Sequence, residues 1–237
     1  MLNTALLGAG RIAGVHATAI STHPGSRLVA VADINAEAAT KLAAQYGAEA
    51  RTTEAILADK AIDAVLIATS TDTHSDLIER AVAAGKAVLC EKPVDLSLAR
   101  AQACIRHAVG LCDLFLPSLE DMTALTGLTQ AQDIIDWSHA QGAAQVVLKL
   151  GADGAIASDG KKQHIVPGHT VSAVDATGAG DCFAGNLLAR LSACDSLWDA
   201  TAYANAAAAL SLQGYGAVAP LPRHDAVLNH LLKEQTP

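Results

Sequence analysis

The sequence predicts an α/β protein built from two units, and three observations carry that prediction. Short apolar strands alternate with helical runs through the first 95 residues, the pattern of a parallel sheet. Two glycine-rich stretches, Gly8–Ala13 and Gly178–Gly180, stand where the chain enters a helix. Charge is also divided unevenly. Residues 1–108 hold 10 Lys+Arg and 11 Asp+Glu, net −1, while residues 109–237 hold 6 and 13, net −7. The expected division is therefore 1–108 and 109–237. No Pro/Ser-rich linker, internal repeat or low-complexity tract separates the units.

Composition sets outer bounds. Apolar residues at 51% and charged residues at 17% fit a packed core and exclude a disordered chain. A net charge of −8 argues against a broadly basic nucleic-acid binder. No apolar run reaches 18 residues, so no spanning helix and no membrane partner are expected. Met1–Gly10 lacks the basic stretch and cleavage pattern of a secretory signal. The five cysteines are scattered, without a Cys-x-x-Cys pair, which suits free thiols in a reducing cytoplasm.

The elements of the first unit follow in order. Thr4–Leu7 is a short strand that runs into Gly8-Ala9-Gly10-Arg11-Ile12-Ala13 and then a helix to about Ile20. In a Gly-x-Gly-x-x-Ala turn, Gly8 permits the tight bend, Gly10 lets a pyrophosphate approach the backbone, and Ala13 lets helix and strand pack closely. The helix start offers free N–H groups and a positive dipole end. Arg27–Ala32 is the second strand and ends at Asp33, 25 residues after Gly8. An acid there accepts ribose hydroxyls and repels a 2′-phosphate, which favours NAD over NADP. The helix Ala36–Tyr46 follows. Ala61–Thr69 reads as a buried parallel strand. The helix Ser75–Ala84 stops at Gly85. Ala87–Cys90 is the next strand and delivers Glu91-Lys92-Pro93 at its carboxyl end, where ligands bind in open α/β sheets.

The glycine turn, the Asp33 strand, Ala68–His74 and Glu91-Lys92-Pro93 together resemble the Gfo/Idh/MocA oxidoreductases over about residues 2–106. The resemblance implies a Rossmann-type NAD-binding domain. It places Lys92 between nicotinamide and substrate as a catalytic residue. It also implies activity on inositol or a sugar. The family's second domain, which holds the sugar and the proton acceptor, has no counterpart after residue 108, so positioning for hydride transfer is incomplete.

A helical run over Ala101–Leu111 crosses the junction of the two units and passes straight into a strand, Asp113–Leu116. Pro117 stops the strand, Ser118 caps a helix over Met122–Leu125, and Gly127 ends it. Gln145–Leu150 leads into a hairpin turn at Gly151-Ala152-Asp153-Gly154. Ala155–Ser158 and Gln163–Val166 continue the meander. Gly178-Ala179-Gly180 then opens a helix to about Leu191. Its leading N–H groups form an anion hole, and Asp181 sits in the first turn. A carboxylate beside an anion hole suits phosphoryl transfer, the acid taking a hydroxyl proton while the N–H groups hold the phosphoryl charge. A last helix covers Leu197–Leu212.

Val174-Asp175-Ala176-Thr177-Gly178-Ala179-Gly180-Asp181-Cys182-Phe183 resembles the second signature of the PfkB/ribokinase sugar kinases, and the likeness covers about residues 110–237. It implies a partial ribokinase-like α/β unit that binds ATP with Mg. In that reading Asp181 is the base, Thr177 belongs to the signature, and Gly178–Gly180 hold the anion. Asp175 belongs to a monovalent-cation site, Gly151 and Gly154 lie near the phosphates, and Asn205 lies near the adenine. Gln213–Pro220 resembles the 2-keto-3-deoxygluconate kinases in particular. One departure is that the family's Asn-x-x-Glu, which supplies the usual magnesium-linked contact, reads Ser118-Leu119-Glu120-Asp121. The sugar-binding strands and lid of such kinases have no counterpart here. His164 and His169 are near each other, but nothing completes a zinc set.

The combined reading is a fusion of two incomplete enzymes, with a small-molecule sugar or sugar acid as partner. ATP-dependent phosphorylation ranks first, because its base and anion hole fall in the part present. NAD-dependent oxidation ranks second, and a nucleotide-binding fusion without turnover is the third reading. Sheets lacking their usual neighbours leave open edges, so either self-association as a homo-oligomer or poor solubility is expected, the alternative being that the two sheets cover each other's edges within one chain.

Overall fold

A computed structural model describes residues 1–234. The chain falls into two compact units, Met1–Ala108 and the remainder from Val109. Its strands form two separate sheets, one of five and one of four strands.

The first unit runs β1 (Leu2–Leu7), α1 (Arg11–Thr22), β2 (Ser26–Ala32), α2 (Ala36–Gln45), β3 (Glu49–Ala50), α3 (Thr53–Ala58), β4 (Ala64–Ile67), α4 (His74–Ala83), β5 (Ala87–Cys90) and α5 (Leu98–Val109). The order across the sheet is β3-β2-β1-β4-β5, and every pairing is parallel. Side chains alternate across a strand, so β1 feeds both faces. Leu6 packs with Ala13 and Ala17 of α1 and Leu42 of α2. Ala5 and Leu7 pack on the other side with Ile56 of α3 and Leu77 and Ala81 of α4. The result is three layers, helix on sheet on helix. The order reverses at β1, so the carboxyl ends of β1 and β4 frame the crevice where such sheets take ligands.

The second unit runs β6 (Leu114–Phe115), α6 (Leu119–Thr126), α7 (Ala131–Gln141), β7 (Gln145–Lys149), β8 (Gly154–Ser158), β9 (Gln163–Pro167), α8 (Ala179–Ser192), α9 (Leu197–Ser211) and α10 (His224–Glu234). Its sheet order is β6-β7-β8-β9, parallel between β6 and β7 and antiparallel beyond. Phe183 and Leu187 of α8 pack with Leu197, Ala200 and Ala204 of α9 against Val147, Ala155 and Ala157 of the sheet. Alanine at Ala200, Ala204 and Ala207, all fully buried, lets α9 approach closely.

Four elements fall outside the sequence reading: β3, α3, α7 and α10. The first two are 2 and 6 residues long, too short for a period to register. In α7 the buried residues are Ile134, Ile135 and Ser138, so a serine interrupts the apolar face. Boundaries shift as well. The predicted strand Ala61–Thr69 narrows to β4, and the predicted helix Ala101–Leu111 begins earlier, at Leu98. Among the described residues no helix is long and apolar enough to cross a membrane.

Candidate functional site

The glycine turn of the first unit is built by close backbone approach. Gly8 has φ +107°, and a Cβ there would lie 2.4 Å from the Ala68 carbonyl oxygen. Any side chain would therefore push apart the ends of β1 and β4. Gly10 precedes α1 with extended backbone, and a Cβ there would meet nothing within 4 Å. The space in front of it is open. Ala13 is fully buried against the sheet. Asp33 accepts the Ala9 N–H at 2.6 Å and the Asn35 N–H at 2.7 Å, so it ties the turn before α1 to the end of β2.

A cavity of about 780 Å³ lies beyond β2, lined by Asp33, Ile34, Arg51, Thr69, Ser70 and Arg80 among others. It takes in Asp33 but not Gly8, Gly10, Ala13 or Lys92. Sequence reasoning missed its two arginines. Each is engaged by acids: Arg51 by Glu49 and Asp59, Arg80 by Glu54 and Asp76. Lys92 is exposed just past β5. Its loop is held by buried His74, whose ring nitrogens lie 2.8 Å from the Pro93 carbonyl and 3.1 Å from the Thr69 carbonyl. Beside it, His16 of α1 meets Glu91 at 2.6 Å. That contact holds the Glu91 carboxyl below its ordinary range.

In the second unit a cavity of about 400 Å³ brings together Gly151, Gly154, Ala179, Gly180 and Asn205, five residues singled out by sequence. Gly154 has φ +98°, and a Cβ there would lie 2.1 Å from the Val166 carbonyl oxygen. Asn205 is nearly buried and donates from Nδ2 to the Pro167 carbonyl at 2.9 Å. Gly178, at φ +77°, leads α8 with no side-chain cap. Asp181 is exposed in the first turn of α8. Asp181, Thr177 and Gly178 are not among the cavity's lining residues.

Asp175 is part of the scaffold. Its Oδ1 accepts from Thr177 N–H at 2.9 Å and Thr177 Oγ1 at 2.7 Å, and its Oδ2 accepts from Gly216 N–H at 2.8 Å. These donors, Gly216 first, hold its carboxyl below the ordinary range. Ser118 caps α6 and exchanges hydrogen bonds with Asp121. Glu120 and Lys149 line the cavity, and sequence reasoning missed Lys149. Its one sequence signal is a lone cation closing an apolar strand, the position Lys92 holds just past β5. Among the described residues no three His, Cys, Asp or Glu side chains group as a metal cage.

The fold and these two sites define an α/β protein with two glycine-rich helix entries, each suited to an anion. The chain belongs to the pfkB family of carbohydrate kinases, whose model matches residues 13–224. That match reaches further toward the amino end than the kinase motifs do. The first unit carries a second likeness. Inositol 2-dehydrogenase of Rhizobium meliloti (strain 1021) is 57% identical over 101 residues, 43% of this chain and 31% of that protein. The 2-dehydro-3-deoxygluconokinase of Bacillus subtilis (strain 168) is 32% identical over 158 residues, 65% of this chain and 49% of that protein. The chain thus spans less than half the length of either relative. The two likenesses are consistent with a fusion. The solved fructokinase of Vibrio cholerae O395 has the same fold at 21% identity, with a TM-score of 0.62 over 97% of this chain and 98% of that one.

Proposed function

We propose that the second unit binds ATP and transfers its terminal phosphoryl group to a hydroxyl of a sugar or sugar acid such as 2-keto-3-deoxygluconate. The observation that carries this reading is the cavity joining Gly151, Gly154, Gly180 and Asn205 at the uncapped start of α8. In the reaction Asp181 takes the hydroxyl proton. The sugar oxygen then bonds to the terminal phosphorus, the bridging P–O bond breaks, and ADP leaves. The N–H groups of Gly178–Gly180 hold the phosphoryl charge. Magnesium bound with the nucleotide would supply neutralisation of the phosphate charge. Gly151 and Gly154 border the phosphates and Asn205 the adenine. Thr177 and Asp175 keep the loop before α8 in shape, and a monovalent cation would sit against Asp175.

The test is phosphoryl transfer from ATP to 2-keto-3-deoxygluconate and a panel of sugars, with Asp181→Asn alongside. This variant keeps size and helix position but removes the base. The expected loss is at least about 10²-fold. Transfer at the wild-type rate in Asp181→Asn would overturn the mechanism.

A second reading applies to the first unit, supported by its 57% identity to an inositol dehydrogenase and the open space before Gly10. We propose that this unit binds NAD, with the pyrophosphate over Gly8 and Gly10, helix packing at Ala13, ribose hydroxyls on Asp33 and Lys92 toward the nicotinamide. Both cavity arginines are already paired, which leaves little to attract a 2′-phosphate. Calorimetric titration with NAD and with ATP separately is expected to give two independent sites.

A further inference from the structure

We infer that His74 carries a proton on both ring nitrogens in the folded chain, and that in this charged form it is a pH-sensitive positioning residue that holds the Lys92 segment against the end of β4. This rests on the NAD reading of the first unit and extends it to a residue outside the glycine turn.

His74 opens α4 and is only 1% exposed. Its Nδ1 lies 2.8 Å from the Pro93 carbonyl oxygen and its Nε2 lies 3.1 Å from the Thr69 carbonyl oxygen. Both are distances of N–H···O hydrogen bonds. A carbonyl oxygen only accepts, and a neutral imidazole has a single N–H. In the neutral form one ring nitrogen would turn its lone pair on a carbonyl oxygen, and that contact would repel. Only the imidazolium donates from both nitrogens and satisfies the two carbonyls together. A buried charge needs such hydrogen-bond partners to offset its lost hydration. The same unit uses this device just before β5. There Lys86, 7% exposed, donates from Nζ to the carbonyls of Asp59 and Ile62.

The two carbonyls belong to the two strand ends that the charge joins. Thr69 follows β4 beside the glycine turn, where a Cβ on Gly8 would stand 2.9 Å from the Thr69 nitrogen. Pro93 directly follows Lys92. The charged groups on the segments around His74 are Asp72 and Asp76 near it in sequence, Glu91, Lys92 and Asp95 after β5, and Arg100 of α5. Asp76 pairs with Arg80, Glu91 with His16 of α1, and Asp95 with Ser75 and Arg100. Among the described residues neither ring nitrogen of His74 meets a carboxylate. Carbonyl dipoles alone hold the second proton, and no ion pair locks it in place. Burial and the positive start of α4 both favour its loss. When it leaves as pH rises, one of the two contacts is lost with it, and the Lys92 segment is no longer tied to the end of β4.

The test uses the full chain and needs no variant for its first part. NMR of the ring nitrogens, with His74 identified through its backbone, should show protons on both of them at about pH 6, within the range where histidine changes charge. The second part compares NAD with ADP-ribose, which lacks the nicotinamide, so effects on the glycine turn and Asp33 cancel. As pH rises and the ring signal reports loss of the second proton, NAD should lose affinity relative to ADP-ribose by about threefold or more, the scale of one hydrogen bond. His74→Gln cannot become charged and should show the lowered preference at every pH. His16→Gln should keep the pH step, which separates the two histidines. A single protonated ring nitrogen at about pH 6 overturns the inference. So does a preference for NAD that does not follow the His74 proton. Equal weakening of both ligands in His74→Gln marks a merely structural residue and overturns the positioning role. If the wild type binds neither ligand, the NAD reading itself falls, while the ring signal still decides the charge of His74.

Discussion

Gly154→Ala isolates the packing on which the second cavity depends. Gly154 sits at φ +98° and ψ −127°, a region that only glycine occupies readily. Its missing Cβ would fall 2.1 Å from the Val166 carbonyl oxygen, 2.6 Å from the Gly168 nitrogen and 2.7 Å from the Pro167 carbonyl carbon. All three are backbone atoms, so no side chain can swing aside, and β9 itself must move. The backbone conformation costs about 1–3 kcal/mol. Forcing apart a packed site adds about 1–3 kcal/mol. Together about 2–6 kcal/mol is a large share of a stability that is typically about 5–15 kcal/mol. For a unit of this size, about 4 °C per kcal/mol gives a fall in melting temperature of about 8–24 °C. Gly151→Ala is the control. Gly151 also has positive φ, +62°, but a Cβ there meets nothing within 4 Å. It incurs only the left-handed conformational cost, about 1–2 kcal/mol. The assay is thermal unfolding followed by tryptophan fluorescence. Both tryptophans, Trp137 and Trp198, belong to the second unit, so the signal reports that unit alone. If Gly154→Ala melts within about 2 °C of wild type, or Gly151→Ala is the less stable of the two, the packing argument is wrong.

Three further outcomes are expected. NAD should bind more tightly than NADP, and Asp33→Ala should narrow the gap in calorimetry; a wild type that prefers NADP refutes the ribose assignment. Edge strands β5 and β9 expose Leu89 and Ile165, so sedimentation at rising concentration should show self-association; a single monomeric species throughout rejects it. The Asp175 carboxyl is depressed by Gly216 and Thr177, so its stabilisation is full above the unfolded value of about 3.9 and is lost as pH falls through the lower folded value. Asp175→Asn should accordingly flatten the acid limb of tryptophan-detected unfolding below about pH 4, and an unchanged limb counts against that linkage.

What could be read from the sequence depended on how local each cause is. The strand Ala87–Cys90 was legible to the residue, because an apolar run lies between the helix-stopping Gly85 and the polar Glu91-Lys92-Pro93. The helix entry at Gly178 was legible because left-handed glycine and the uncapped turn are features of neighbouring residues. The close approaches were not. Nothing near Gly8 indicates that Ala68 passes beside it, 60 residues on, and nothing near Gly154 indicates Val166. Lys149 escaped for the same reason. A lysine ending a strand is commonplace, and only the fold brings its Nζ beside Gly180, 31 residues later. Of the arginines of the first cavity, Arg51 lies just past β3 and Arg80 on α4, 29 residues apart, and only the fold brings them to one cavity.

The three singled-out acids show how similar sequence settings lead to different physical roles. Asp33 stands at the end of β2 and Asp175 just before the glycine-rich entry to α8, and each has both oxygens taken by N–H or O–H groups of nearby turns. A carboxylate has about four acceptor positions, so Asp33 can still take ribose hydroxyls while holding the Ala9 turn. Its replacement must then disturb the turn and the ligand together, and binding loss alone would not separate the two. Asp181 differs. It stands exposed in the first turn of α8, and among the described residues it accepts no hydrogen bond. Removing its charge leaves the scaffold intact, so a change in turnover with unchanged melting is attributable to chemistry. The acid left without structural duties is the one whose substitution tests the reaction cleanly.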